Sequence, residues 1–239
     1  ARFADLIIVN SKATARALSA RCGAALSPDR VVIAPLGSTH GGATRAPRSL
    51  TDSPYFVMIG TIEPRKNHFM VLSVWQTLAA SLGSATPRLV LIGRRGWLNR
   101  PVADLLDGSD MLSGIVEERG VVPDTEVAEL VSGARAALLP SFAEGYGLPL
   151  AEALAAGVPV ICSDIPVFRE VGGPVPEYID PADSAGWSDA VRAYADGDSA
   201  RRRAQLARIR DWVPPTWEQH FARVMPAIEA LGREDQSAP

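Results

Sequence analysis

Short apolar runs alternate with amphipathic stretches along most of the chain. Leu6-Ile7-Ile8-Val9 is followed by polar Asn10-Ser11, an Ala-rich stretch to about Arg21, and then Val31-Val32-Ile33-Ala34. This reads as strand, helix, strand, with Asn10 or Ser11 as the N-cap, because a short polar oxygen there accepts from the helix's free N–H groups. Two strands and one helix do not enclose a core, so this piece is expected to pack on something else. From Gly37 to Pro54, Gly, Ser, Thr, Pro and Arg replace large apolar residues, which is the composition of a linker or hinge.

Beyond the linker the alternation becomes regular. Apolar runs at Tyr55 to Ile59, Arg88 to Ile92, Gly114 to Val116, Ala136 to Leu139 and Val158 to Cys162 read as strands. Between them, Phe69, Leu72, Val74, Trp75 and Leu78 recur at helical spacing, as do Val127, Leu130 and Val131. Buried strands alternating with helices imply βαβ units, hence an α/β fold with a doubly wound, Rossmann-like parallel sheet. Past Tyr178 the strand signal fades, and 187–194, 201–212 and 217–231 read as helices, the last opening after Pro214-Pro215-Thr216. The tail after Gly232 is expected to fray. The expected division is 1–36 for the opening piece, 37–54 for the linker, 55–213 for the main domain, and 214–239 for a terminal helix and tail.

Composition narrows the function. The 239 residues carry a net charge of −3, which gives no broad basic face for nucleic acid. No apolar run approaches the ~20 residues needed to cross a bilayer. Cys22 and Cys162 are too few for a disulfide framework and too far apart for a local metal motif, so a reducing, cytoplasmic location is expected. The chain opens at Ala1 without a charged-then-apolar leader, and is expected to be a piece of a longer protein.

In an open α/β sheet, ligands sit at the carboxyl ends of the strands where strand order reverses, between the first and fourth strands of a 3-2-1-4-5-6 sheet. Here the first strand after the linker runs into Thr61-Ile62-Glu63-Pro64-Arg65-Lys66-Asn67, and the fourth into Ser141-Phe142-Ala143-Glu144-Gly145-Tyr146-Gly147-Leu148-Pro149. Arg65 and Lys66 stand at an expected helix start, where the macrodipole disfavours cations and an anionic ligand would relieve them. Gly145 and Gly147 let a ligand approach the backbone, Pro149 suits a first helical turn, and the free N–H groups there make a phosphate site. Glu144 and Glu152 carry only acceptor oxygens when ionised, which suits adjacent ribose or sugar hydroxyls. Taken singly, each of these residues also suits a solvated surface position.

Together they say more. Glu144 to Val160 resembles the E-x7-E signature of glycosyltransferase family 4, retaining enzymes of the two-domain GT-B fold. Gly60 to Asn67, GTIEPRKN, looks like that family's pyrophosphate-binding segment, and Phe168-Arg169-Glu170-Val171-Gly172-Gly173 like its later Glu-Val-Gly element. The resemblance spans roughly Leu6 to Leu231. It matches the opening strand–helix–strand to the end of an N-terminal acceptor domain, which would then be largely missing, and the rest to the C-terminal nucleotide-sugar domain.

The resemblance implies that Arg65 and Lys66 bind the donor pyrophosphate and Glu152 the ribose hydroxyls, with Glu144 touching the donor sugar. It also implies that the backbone of Gly145, Tyr146, Gly147 and Leu148 faces sugar and phosphates, and that Val122 lies near the base. Thr61 belongs to the donor site by position, although many members of the family that the chain resembles have Arg there; either Arg65 compensates or phosphate binding is weaker. Tyr146 stands where Phe is frequent and adds a hydroxyl.

Catalysis of such a transfer stabilises a departing diphosphate and an oxocarbenium-like sugar, and one preorganised donor is worth ~10² to 10³ in rate. Lys66, Arg65 and Glu144 are therefore the expected catalytic residues. Retention is compatible with a carboxylate nucleophile or with attack on the face of departure; the resemblance favours the latter. No metal and no cofactor are expected beyond the nucleotide-sugar substrate. The expected partners are that donor and a glycan or lipid-linked acceptor, with peripheral contact at the inner membrane face in the complete enzyme. The GTIEPRKN form resembles that of enzymes that use GDP-mannose or related donors for surface polysaccharides, lipopolysaccharide among them, so a mannosyl transfer is one expectation. The other readings are a non-catalytic nucleotide-sugar-binding module, or a sugar-nucleotide epimerase or phosphorylase on the same fold. Of the histidines, His40 and His68 are expected at the surface, and His220 carries little signal. Trp75, Trp187, Trp212 and Trp217 are expected in packing, whereas Trp97, in a loop, is placed to cover the donor.

Overall fold

The computed structural model describes residues 4–38 and 54–235. Its first part is β1 (Ile7–Val9), α1 (Lys12–Cys22) and β2 (Val31–Ile33), with the two strands paired in parallel. The second begins with β3 (Tyr55–Ile59), α2 (His68–Leu82), β4 (Arg88–Ile92), α3 (Arg100–Gly108), β5 (Val116–Gly120) and α4 (Asp124–Ser132). It continues with β6 (Ala137–Leu139), α5 (Leu148–Ala155), β7 (Val160–Ser163), α6 (Pro166–Gly172), β8 (Glu177–Ile179), α7 (Ser184–Ala195), α8 (Ala200–Arg210) and α9 (Trp217–Asp235). The linker stretch, including His40, lies largely outside the described residues.

The large sheet has six strands in the order β5-β4-β3-β6-β7-β8, every pair parallel. Counted from β3 this is 3-2-1-4-5-6, so strand order reverses between β3 and β6. Apolar side chains alternate between two cores because successive strand residues face opposite sides. Phe56, Met58, Leu89, Leu91, Leu138 and Ile161 meet Leu72, Trp75 and Leu78 of α2 and Trp187 and Tyr194 of α7. Val57, Val90, Leu139, Val160 and Cys162 meet α4, α5, α6 and α8 on the other face. Trp75 fills its side edge-on to Phe56 and donates its indole N–H to the Pro87 carbonyl at 2.8 Å.

Three expectations are corrected. The third strand is not Gly114 to Val116 but Val116–Gly120. It is an edge strand reading VEERG, whose charges pair laterally, Glu117 with both Arg88 and Arg119, so no apolar run marks it. A sixth strand, Glu177–Ile179, pairs on β7 where the sequence shows little strand signal. On α2, Leu72, Val74, Trp75 and Leu78 are buried as expected, but Phe69 is 52% exposed while His68 is 2% exposed.

The opening strand–helix–strand does pack on other elements. α1 lies on α6, and α9 lies on β2. Arg223 of α9 donates to the Ile33 carbonyl, and His220 Nδ1 lies 3.1 Å from the carbonyl oxygens of both Ala34 and Pro35. Trp217, expected in packing, covers Gly37 with one side of its indole and stays 39% exposed.

Candidate functional site

The site is built where β3 and β6 end. Beyond β3 the chain stays extended alongside the segment after β4, with Ile62 N–H donating to the Arg94 carbonyl at 2.9 Å and Gly96 N–H to the Ile62 carbonyl at 3.0 Å. It then closes a tight helical turn over Pro64–Lys66 before α2 begins. Arg65 and Lys66 therefore precede α2 rather than occupying its first turn. Asn67 ends that turn in the left-handed region at φ 60°, which Asn adopts more readily than most residues. Its side-chain amide donates to the carbonyls of Pro140 at 3.2 Å and Pro181 at 2.9 Å. Phe142 N–H donates to the Arg65 carbonyl at 2.9 Å. The basic turn and the loop after β6 are thus joined through their backbones.

Glu144 gathers the charges. Its Oε1 lies 2.5 Å from Lys66 Nζ and accepts from the Ser141 hydroxyl at 2.8 Å, while its Oε2 lies 2.8 Å from Arg65 Nη1. Arg65 also donates to the Ala143 carbonyl at 2.8 Å and pairs with Glu63 at 2.5 Å. Glu63 in turn accepts from the Trp97 indole N–H at 3.3 Å. Burial pushes the Glu144 carboxyl up, but the Lys66 contact, together with Ser141 and Arg65, outweighs it and holds the group below the usual carboxylate range. Burial likewise works against the Arg65 charge, and the two carboxylates outweigh it, raising its pKa. Lys66 and Glu144 are 11% and 10% exposed at the side chain, Arg65 is 42% exposed. The result is one anchored cation and one half-open cation on a shared carboxylate, at the reversal point where a ligand binds an open sheet.

The next segment presents backbone. Gly147 is the N-cap of α5 at φ 94°, a conformation that favours glycine, and a Cβ there would come 2.7 Å from the Phe168 ring. Pro149 sits in the first turn of α5, whose leading N–H groups lack intrahelical partners and favour anions. Tyr146 is buried and its hydroxyl donates to the Leu36 carbonyl at 2.8 Å; burial, with the Glu170 charge, pushes its pKa up to about 12. The hydroxyl that distinguishes Tyr146 from Phe is therefore committed to the first part of the chain. Glu152 is half-buried on α5, and Leu148 opens that helix. Thr61 lies at the end of β3, half-buried. Val122 follows β5, with β4 between that strand and β3, and packs on the core beneath the sheet.

Arg65, Lys66 and Glu144 are thus in direct contact, Gly145 to Leu148 and Glu152 continue from them along one loop and helix, and Val122 stands apart. Trp97 is 64% exposed, on the loop tied to Glu63. His68 corrects the expectation of a surface residue. It is buried beside Lys66 and Glu63 with neither ring nitrogen hydrogen-bonded, and burial, aided by the Lys66 charge, lowers its pKa to about 4. Sequence reading missed Glu63 and Ser141 as partners of the cluster, and it missed Ser11 and Thr14, whose hydroxyls reach the Gly145 carbonyl. Only the first two carried a usable signal, standing within three residues of a named site residue.

Residues 43–208 match the family profile described as glycosyl transferases group 1. The chain belongs to this family. This group 1 glycosyltransferase sequence is 31% identical over 212 residues to O-antigen chain mannosyltransferase B of Escherichia coli, an alignment covering 85% of the chain and 55% of that protein. The chain thus spans about half the length of that curated relative. Among solved structures, sucrose-phosphate synthase from Thermosynechococcus elongatus superposes with a TM-score of 0.72 at 20% identity, covering 98% of this chain and 60% of that one. WaaG, a glycosyltransferase involved in lipopolysaccharide biosynthesis, superposes with a TM-score of 0.72 at 17% identity, covering 92% and 61%. At such identities the likeness establishes the fold, which is that of the GT-B glycosyltransferases. Among the described residues of this group 1 chain, no helix is long and apolar enough to cross a membrane, and no group of three or more His, Cys, Asp or Glu could hold a metal ion.

Proposed function

We propose that the chain carries the donor-binding half of a retaining, family 4 hexosyltransferase that moves a mannosyl residue from GDP-mannose to a glycan or lipid-linked acceptor in surface-polysaccharide synthesis. The observation that carries this reading is the meeting of Lys66 and Arg65 on Glu144 at the strand reversal, next to the leading N–H groups of α5. A nucleoside diphosphate leaving a sugar gathers negative charge, and fixed cations with helix N–H groups stabilise such charge without reorganising. The O-antigen mannosyltransferase relative supports the choice of mannose and of a lipopolysaccharide-type product.

In this reading Lys66 is the fixed cation and Arg65, half-open, is the adaptable one, which compensates for the lack of an Arg at position 61. Glu144 aligns them and faces the sugar. A carboxylate already held by two cations and a hydroxyl is a poor nucleophile, which supports attack on the face of departure, with Glu144 as a positioning and electrostatic group. Glu152 takes the ribose hydroxyls, Val122 lines the base, and Thr61, Gly145, Tyr146, Gly147 and Leu148 complete the donor surface. Catalysis takes place in the cytoplasm, at the inner membrane face when the acceptor is lipid-linked, and uses no metal. By itself this chain binds donor and transfers poorly.

The test is calorimetric titration with GDP, UDP, GDP-mannose and UDP-glucose, followed by transfer assays on the longer protein. Donor binding with no transfer by the longer protein would favour a non-catalytic nucleotide-sugar-binding module.

A further inference from the structure

The first helix is attached to the proposed donor loop, although more than a hundred residues separate them in sequence. Ser11, fully buried, caps α1 by accepting from Thr14 N–H at 3.0 Å, and its hydroxyl lies 2.7 Å from the Gly145 carbonyl oxygen. The Thr14 hydroxyl lies 2.9 Å from the same oxygen. Each hydroxyl has one proton to give: for Ser11 the Gly145 oxygen is nearer than Thr14 Oγ1 at 2.9 Å, and for Thr14 it is as near as Ser11 Oγ, which already accepts from Thr14 N–H, and nearer than Asn10 Oδ1 at 3.3 Å. One residue on, the Tyr146 hydroxyl is held by the Leu36 carbonyl. A third tie fixes α1 itself, since the Glu170 carboxylate accepts from the N–H groups of Lys12 at 2.8 Å and Ala13 at 3.2 Å.

A trans peptide points its carbonyl and the next N–H in opposite directions. With the Gly145 carbonyl held against α1, the Tyr146 N–H is turned away from that helix, and the run into Gly147 and the start of α5 is set from one end by α1 and from the other by Leu36. We propose that α1 latches the donor loop, with Ser11 and Thr14 as positioning residues that fix the Gly145–Tyr146 peptide and thereby aim the amides of residues 146–148 at the donor diphosphate. The last clause rests on the donor-binding reading above; the latch on the peptide does not. It also gives the Glu-Val-Gly element a structural role in this chain, as the anchor of α1 beside the loop.

Thr14→Val removes the hydroxyl at nearly constant shape, and because Glu170 and the Ser11 cap hold α1 independently, the helix stays seated. Thr14→Ser restores the hydroxyl without the methyl. Two measurements on the 239-residue chain separate the claims. Amide hydrogen exchange without nucleotide is expected to quicken at residues 146–148 in Thr14→Val and to return towards the unchanged rate in Thr14→Ser, with the thermal midpoint of Thr14→Val lowered only by the loss of that one hydrogen bond and restored in Thr14→Ser. Titration with GDP and UDP is expected to show binding weakened roughly three- to tenfold in Thr14→Val, the worth of one neutral hydrogen bond, and rescued in Thr14→Ser. Exchange at 146–148 unaltered by Thr14→Val would overturn the latch. Altered exchange with unaltered nucleotide affinity would overturn the role in donor positioning. Absence of binding by the unchanged chain would overturn the donor reading, and the exchange result would still decide whether the latch exists.

Discussion

Gly96 lies over Thr61 so closely that a Cβ at position 96 would come 2.5 Å from the Thr61 methyl and 3.0 Å from the Ile62 carbonyl oxygen. The segment after β4 is thus seated directly against the side chain at position 61. Gly96→Ala is expected to cost about 1–3 kcal/mol, the usual penalty of overpacking. Adding Thr61→Ser, which deletes the obstructing methyl, should recover part of it. Urea denaturation of the single and double variants checks this, and strictly additive losses would contradict the contact.

His68 makes the protein acid-sensitive above the range in which carboxylates titrate. Its pKa falls from an ordinary 6.5 to about 4 in the fold, so below pH 6.5 the unfolded chain binds the extra proton. Stability is full above 6.5 and declines as pH falls towards 4, by roughly 2 kcal/mol at pH 5, at about 1.4 kcal/mol per pH unit. His68→Leu is expected to flatten the slope of stability between pH 7 and pH 5, whatever it does to stability at pH 7. Parallel slopes for the two proteins would show that this histidine is not the cause.

Glu144 acts at lower pH with the same sign. Its carboxyl is held below the ordinary range, so the stability it contributes is present above that range and is lost as pH falls through the folded value. Glu144→Gln leaves Lys66 and Arg65 without their shared counter-charge and is expected to cost about 2–4 kcal/mol at pH 7, narrowing towards acid. Chemical denaturation at pH 7 and pH 4 measures it.

Tyr146 contributes through its hydroxyl to the join between the two parts of the chain. Tyr146→Phe leaves the Leu36 carbonyl without that donor and is expected to lower stability by about 1 kcal/mol. An unchanged unfolding midpoint would contradict the bond.

Much of the fold was legible because β3, β4, β6 and β7 are apolar runs buried on both sides, and the helices between them keep a 3.6-residue rhythm. The edges were not. β5 is stabilised by lateral ion pairs among Glu117, Arg88 and Arg119, and β8 by pairing on β7, neither of which leaves an apolar trace. In the site, the placement of Lys66 and Glu144 at the two strand ends flanking the reversal was legible, but the bond between them was not. The burial of His68 was not legible, because a polar residue following Arg65, Lys66 and Asn67 looks solvated in sequence, whereas it enters α2 directly after the left-handed turn at Asn67 and faces the core. The attachment of Ser11 and Thr14 to Gly145 was invisible for another reason: it is a tertiary contact between segments whose local patterns carry no mark of each other.

The most direct test of the account is the affinity of the chain for GDP and GDP-mannose, measured by calorimetry beside Lys66→Ala and Glu152→Ala. The account predicts saturable binding by the unchanged chain, weakened at least tenfold by loss of the diphosphate contact in Lys66→Ala and also weakened by loss of the ribose contact in Glu152→Ala, each 1.4 kcal/mol being about tenfold. Binding that survives in both variants at full strength would place the nucleotide elsewhere and contradict it.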